Sequence, residues 1–491
     1  MKRLGNFTHV NALISGFLLV VLLMELLGVA TLSRLFLAHT ADAAVVTIDT
    51  GVSGTARTNN HTGAQTVFVS DTTGYTFYRN NSGSCSYSKT TDSGDTWGAD
   101  VIVDAQTDCI RIVVWYDQWT PGDTGDIIHI ATMDTTEDDL FYNSLDTSTD
   151  TLLLGTAAVN ASANSLQVPT FSVAINTVAI TKATDGDIYL VSNDNADSYI
   201  VSCAATCGTG TNWNEVGVSP LDTRNDHNLL LPLAGDEILL INRDISANDL
   251  RSKIWNGSVW SPTWTIIDSS AFENSEYDGG MSATVDLSTG NVYLAYVADN
   301  NLLNDDNDDI RTALFDGSAW TSMTDVITNL SGRGILDVAV AIDQNNGDLY
   351  VSYTTQDTPG TASTGNIYYK ESTDVMTSWG AEVGPINSTP GDIRKPALDP
   401  GNFDRLFVAW WENSVDDRFG DTLDNIGPDS TLTTLGTQMT ELRSQTTGNY
   451  LGGQFVLNSL TANTVSSITI TETGTIDAAT DVENIGLYYD L

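Results

Sequence analysis

Four arginines carry the clearest chemical signal in the sequence: Arg111 in "CIRIVVW", Arg224 in "DTRNDHN", Arg333 in "SGRGILD" and Arg394 in "DIRKPAL". A guanidinium offers a planar fork of N–H donors, so three such groups converging on one point would grip a carboxylate bidentately. The competing reading is ordinary salt bridging, because the chain sets 63 acidic residues against 20 basic ones. The same imbalance, a formal net charge of −43, excludes nucleic acid as a partner, since the phosphate backbone would be repelled. It suits a secreted protein in salty surroundings, or one with several cation sites.

A second acidic signal is "NDDNDD", Asn304 to Asp309. Asp305, Asn307 and Asp309 alternate as calcium ligands do, but the glycine and distal glutamate of a calcium loop are missing. A solvated loop explains the run as well. No cofactor is required by the sequence, and Ca²⁺ is the one ion it suggests. The aromatic stretches "WYDQW" (Trp115 to Trp119) and Trp410-Trp411 could stack on sugar rings or fill a core. Histidine is scarce, with His129 and His227 well inside the chain. No Ser-His-Asp arrangement, phosphate-cradling glycine loop or Cys–His zinc cluster suggests itself.

These residues need a scaffold, and the sequence repeats. A turn followed by an alternating apolar run occurs seven times: "GYTFY", "GDIIHI", "GDIYLV", "GDEILLI", "GNVYLAY", "GDLYVSY" and "FDRLFVAW". The spacing is roughly 50 to 60 residues, with a second alternating run upstream ("MSATVDL", "DVAVAID") and a tryptophan-bearing turn downstream (Trp213, Trp260, Trp320, Trp379). Recurring units of short antiparallel strands with Gly/Asp/Asn turns predict an all-β fold, a β-propeller of seven blades, with six as the runner-up. An array of β-sandwiches would explain the alternation but not the fixed order of turns. "AVVTIDTGVS" could supply a strand missing from the seventh unit and so close the ring.

One downstream turn is the most explicit. In "KTTDSGDTWG", Thr90, Asp92, Gly94 and Trp97 fall in the order Thr-x-Asp-x-Gly-x-Thr-Trp. An Asp in a tight turn accepts backbone N–H bonds, Gly permits positive φ, and Trp anchors the hairpin between sheets. "STDVMTSW" keeps Ser372, Asp374 and Trp379 but loses the glycine. The pattern resembles the Asp-box, or BNR repeat, of the sialidase superfamily, over about residues 45–428, and marks the chain as a divergent relative.

The resemblance implies that these boxes are structural and lie opposite the active face. Any chemistry would then sit where each innermost strand begins, which is where the four arginines stand, similar to the sialidase arginine triad. Sialidases also carry Phe/Tyr-Arg-Ile-Pro at the first arginine, and here only Arg111-Ile112 of that element survives. For the family's Tyr–Glu nucleophile pair and Asp acid/base, the resemblance offers Tyr277 with Glu276, and Asp226.

The termini add an export signal and a further module. After Met1-Lys2-Arg3 comes the apolar run Leu13 to Leu32, interrupted by Glu25, and then "ADAA" at Ala41 to Ala44. Residues 1–43 therefore read as a signal peptide or an uncleaved signal anchor. Residues 44–428 are expected to form the propeller and 429–491 a small β-sandwich module; the sequence stops within a strand-like run, which leaves a longer parent protein open. In an exported chain, Cys85, Cys109, Cys203 and Cys207 suggest disulfides. Cys203–Cys207 would close a very short loop and Cys85–Cys109 would bridge neighbouring units, but the sequence leaves the pairing open.

Three functions remain. The first is a non-catalytic, exported surface propeller binding glycans or cell-surface proteins, with contact to membrane only through an uncleaved anchor. The second is an exo-sialidase-type glycoside hydrolase. The third is a structural protein of the cell envelope. The ligand and the oligomeric state cannot be read from sequence.

Overall fold

The computed structural model describes residues 45–424 except 53–62, 105–108, 135–139, 154–156, 159–176, 194–197, 210–211, 218–220, 222–226, 245–246, 272–279, 299–307, 329–331, 357, 359–363, 388–389 and 402–405. Beyond these it describes the strand pair Ser430–Leu435 and Gln454–Ser459. The Leu13–Leu32 run and most of the expected C-terminal sandwich lie outside the described residues. Among the described residues no helix is long and apolar enough to cross a membrane.

Seven antiparallel sheets follow one another along the chain. Their inner strands are Thr66–Phe68, Cys109–Tyr116, Val178–Lys182, His227–Pro232, Met281–Val285, Gly334–Ile342 and Ile393–Leu398. Neighbouring sheets pack through their inner halves, and the last meets the first. The fold is a seven-bladed β-propeller.

The seven repeated runs become the second strands, from Gly74–Arg79 in blade one to Leu406–Glu412 in blade seven. Each is covered by a blade on either side, so both faces must be apolar. Ile238–Asp244 and Val292–Ala298, for example, are buried along their whole length. The outer strands are short, as exposed sheet edges usually are; Asn214–Glu215 has two residues and Trp320–Ser322 three.

Blade seven is built from both ends of the propeller. Val46–Asp49 pairs antiparallel with Asp417–Asp424, Val46 opposite Gly420 and Thr47 opposite Phe419. The "AVVTIDTGVS" segment is thus the outer strand of the last blade. Ile48 packs with Phe68, Tyr78 and Phe407, joining blade seven to blade one. At the same seam the fully buried Arg418 donates to the Thr76 hydroxyl from Nε (3.2 Å) and Nη2 (2.9 Å). Its guanidinium lies 5.6 Å from the Tyr78 ring centroid. Burial pulls its pKa down to about 10.

The tryptophan turns connect third strands to outer ones. In the first, Asp92 Oδ1 accepts from the Thr90 hydroxyl (2.8 Å) and the Thr96 N–H (2.9 Å), and its Oδ2 accepts from the Thr96 hydroxyl (2.5 Å). These donors, chiefly the Thr96 hydroxyl, hold the Asp92 carboxyl below its ordinary range. Gly94 has φ +91°, and a Cβ there would stand 2.6 Å from Phe407 of blade seven. Trp97 stacks beside that phenylalanine at 5.4 Å. In the second, Asp374 holds Ser372 and Ser378 in the same way. Met376 takes the place of the glycine at φ +61° and is fully buried, so packing compensates for a backbone region L-residues disfavour.

The chain divides into two compact units after Asn425. In the second, Ser430–Leu435 and Gln454–Ser459 pair antiparallel, Ser430 opposite Ser459.

Ring closure yields a test. Ile48→Ala removes a side chain buried at the seam and should lower the unfolding free energy by about 2–4 kcal/mol. Urea unfolding followed by tryptophan fluorescence measures it, and a loss under about 1 kcal/mol would show the seam to be dispensable.

Candidate functional site

Every inner strand begins at one mouth of the ring and ends at the other. The entry mouth also holds the turns between second and third strands; the exit mouth holds the tryptophan turns. This alternation follows from antiparallel pairing within each blade.

Arg111, Arg333 and Arg394 all stand at the entry mouth, on blades two, six and seven. Arg224, Asp226, Glu276 and Tyr277 lie outside the described residues. Arg111 is the third residue of its inner strand and is 5% exposed. Its Nη1 donates to the Ile110 carbonyl at 2.7 Å. Between Cys109 and Arg111 the pairing with the second strand shifts register, leaving Ile110 as the extra residue of a β-bulge.

The other two arginines are engaged by carboxylates. Arg333 Nη2 reaches both Glu382 oxygens at 3.0 Å, and its guanidinium lies 4.7 Å from the Tyr368 ring centroid. The Tyr353 hydroxyl donates to the same carboxylate. Burial works to lower the Arg333 pKa, but the charge of Glu382 outweighs it and the net direction is up. Tyr353 is fully buried, and burial first and the Glu382 carboxylate second push its phenol up. Arg394 Nε donates to Asp392 Oδ1 at 2.6 Å, while Asp392 Oδ2 accepts from Asn413 at 2.7 Å.

Blade four adds polar side chains that the sequence reading did not single out together. His227 and Arg243 are cross-strand neighbours at the entry mouth, each 3% exposed. On the adjacent registers, Asn228 donates to the Ser198 hydroxyl (3.0 Å) and accepts from Asn242 (2.8 Å), which in turn accepts from Arg251 (2.8 Å). Arg251 closes the network on the buried Asp244 at 2.8 Å. Strand alternation puts His227 and Arg243 on one face and Asn228 and Asn242 on the other, and nothing local in the sequence says that the second pair joins a network.

Two further sequence features can be placed in the fold. Asp309 begins a third strand opposite Ala298, with its carboxylate 3.4 Å from Arg311, so it serves an ion pair there. Asp305 and Asn307 lie outside the described residues, and among the described residues no cluster of acidic, histidine or cysteine side chains could hold a metal. The tryptophans of "WYDQW" are buried: Trp115 and Trp119 pack edge to face at 5.6 Å inside the ring. Trp410 is buried too, leaving only Trp411 partly exposed.

At the exit mouth the residues after blade seven's inner strand are tied to other blades. Asp399 accepts the N–H of Phe68 (2.6 Å) and of Gly401 (3.1 Å), and the Pro400 carbonyl accepts from Ile342 N–H (3.2 Å) and the Thr284 hydroxyl. Burial pushes the Asp399 carboxyl up to about 7. A Cβ on Gly401 would stand 2.5 Å from Trp119. Residues of blades two, four, five and seven meet there around a cavity of about 10 Å³ lined by Trp115, Trp119, Leu231, Thr284, Val285 and Pro400. That is room for about one water.

Beside these residues lies an Asp–His–Tyr chain. Asp117 Oδ1 meets His129 Nε2 (2.9 Å) and Lys182 Nζ (2.6 Å), and His129 Nδ1 faces the Tyr142 hydroxyl at 2.7 Å. One neutral tautomer, with Nε2–H donating to Asp117 and Nδ1 accepting from Tyr142, satisfies both bonds. Burial, the largest influence, pushes the His129 pKa down. Asp117 is held below the usual carboxylate range because His129 and Lys182 outweigh its burial.

No family model matches the chain, and no curated protein matches it in sequence. Solved structures are similar at low identity. A PL25 ulvan lyase bound to a GlcA–Rha3S saccharide has a TM-score of 0.49 and 11% identity, covering 78% of this chain and 96% of that one. An Aleuria aurantia lectin variant in complex with a fucosylated GlcNAc has a TM-score of 0.40 and 13% identity, over 62% and 88%. A leech intramolecular trans-sialidase has a TM-score of 0.44 and 10% identity, over 67% and 69%.

His129 gives a pH test with a defined sign. Its lowered folded pKa means that its contribution is present above the ordinary imidazole value of about 6.5 and is lost as pH falls through it. The stability gap between wild type and His129→Gln should therefore shrink from pH 7.5 to pH 5. Thermal melts across that range check it, and a gap that widens on acidification would mean the imidazole is charged in the fold.

Proposed function

We propose that this chain is an exported, surface-associated propeller of sialidase-like type that recognises glycans at its entry mouth without hydrolysing them. The observation that carries this reading is the division of labour among the arginines. Glu382 and Asp392 already occupy Arg333 and Arg394, whereas a three-arginine grip on a substrate carboxylate needs all three guanidiniums available. We assign Arg111, which stands at the same mouth and already donates to the Ile110 carbonyl, to meet an acidic sugar. The buried polar network of blade four lies on the same side of the ring and would stiffen the inner strands near that mouth. The C-terminal module would then act as a spacer or a second adhesive unit.

The exo-sialidase reading keeps one supporting observation: three arginines at the entries of inner strands of one mouth. The two are separable by experiment. On a glycan array the protein should retain acidic glycans, and Arg111→Ala should weaken them by about ten- to a hundredfold, the worth of one charge-assisted contact. Release of fluorophore from a sialoside by wild type, abolished in Arg111→Ala, would establish the hydrolase instead.

A further inference from the structure

Three of the seven inner strands shift register close to their first residues: between Cys109 and Arg111 in blade two, Ile335 and Asp337 in blade six, and Arg394 and Ala397 in blade seven. The other four pair without a shift. A bulge re-aims the side chains beside it and must be held in place by something outside the ladder. In each case the preceding blade does so. The Cys109 N–H donates to the Gly83 carbonyl of blade one at 3.0 Å. The Ile335 N–H donates to Asp308 of blade five at 2.6 Å. Gly391, at the entry of blade seven, exchanges backbone bonds of 2.7 and 3.0 Å with Gly365 of blade six.

Blade two alone adds a covalent clamp. Cys85, the first residue of blade one's third strand, is bonded to Cys109, the first residue of blade two's inner strand. Both are buried. The two sulfurs lie 3.5 and 3.8 Å from the Arg111 carbonyl oxygen, and the Ile110 carbonyl at the bulge accepts from the Arg111 guanidinium. The disulfide therefore lies directly against the Arg111 backbone, next to the bulge.

We infer that the Cys85–Cys109 disulfide is a positioning element for Arg111, making ligand recognition at the entry mouth sensitive to reduction. The inference rests on the glycan-binding reading for its ligand and on geometry alone for its mechanism. Without the bond, the start of the strand would keep the Cys109 N–H donation to the Gly83 carbonyl and its pairing with the second strand, but no covalent tie to blade one. The bulge could then slip along the ladder, carrying the arginine with it, while the apolar packing between blades stays in place.

The test compares full-length Cys85→Ser/Cys109→Ser with Cys203→Ser/Cys207→Ser, which removes the other disulfide. In the first variant, amide hydrogen exchange should speed up at Ile110 to Val113 and stay unchanged in the inner strand Val178–Lys182. Binding of an oligoglucuronate should weaken about tenfold, the equivalent of one hydrogen bond to a charged group, while the second variant binds as wild type does. Unchanged exchange at Ile110 to Val113 would overturn the inference, as would equal loosening of all inner strands, which would make the bond a general staple. Wild type that ignores oligoglucuronate would remove the acidic-ligand reading, and the exchange comparison would still decide the positioning.

Discussion

The structure depends on closing a ring from a linear chain. Six blades can be written consecutively, but the seventh must join the first or two sheet edges stay open. Here the join is made by Val46–Asp49, which travels from the start of the propeller to the outer edge of the last blade. Because that strand pairs rather than merely packs, its backbone donors and acceptors are met by Asp417–Asp424, and the seam gains register as well as area. Tyr78, Phe68, Phe407 and Trp97 then fill it from both blades. The position of every entry-mouth residue is fixed only once this seam is shut.

Acidic side chains do different work at the two ends of the ring. At the tryptophan turns Asp92 and Asp374 are exposed and spend their acceptor capacity on local N–H and hydroxyl donors, which keeps them ionised. At the entry mouth Glu382 and Asp392 neutralise arginines. Asp399, buried at the exit mouth, is pushed up towards neutrality by its surroundings. A chain this acidic might be expected to display its charge uniformly; instead, local donors decide what each carboxylate does.

Much of the fold was legible in the sequence because repeats amplify weak signals. The seven repeated runs all supply second strands, since a strand covered on both faces is largely apolar. The missing strand of blade seven was legible as well, because alternation in "AVVTIDTGVS" had no partner nearby. Site chemistry was less legible. That Arg333 would meet Glu382, 49 residues on, or that Asp117 would find both His129 and Lys182, depends on which loops the ring brings together, and no local pattern encodes that. The bulge at Ile110 was invisible too, because "CIRIVVW" is apolar at every residue but Arg111 and so carries no register signal.

The central claim is that an acidic glycan enters at the inner-strand starts and meets Arg111. A crystal structure of the chain with bound oligoglucuronate tests it most directly. The account predicts the sugar carboxylate against Arg111 at the mouth shared by blades two, six and seven. A saccharide seated on the tryptophan-turn side, or along an outer blade edge, would contradict it.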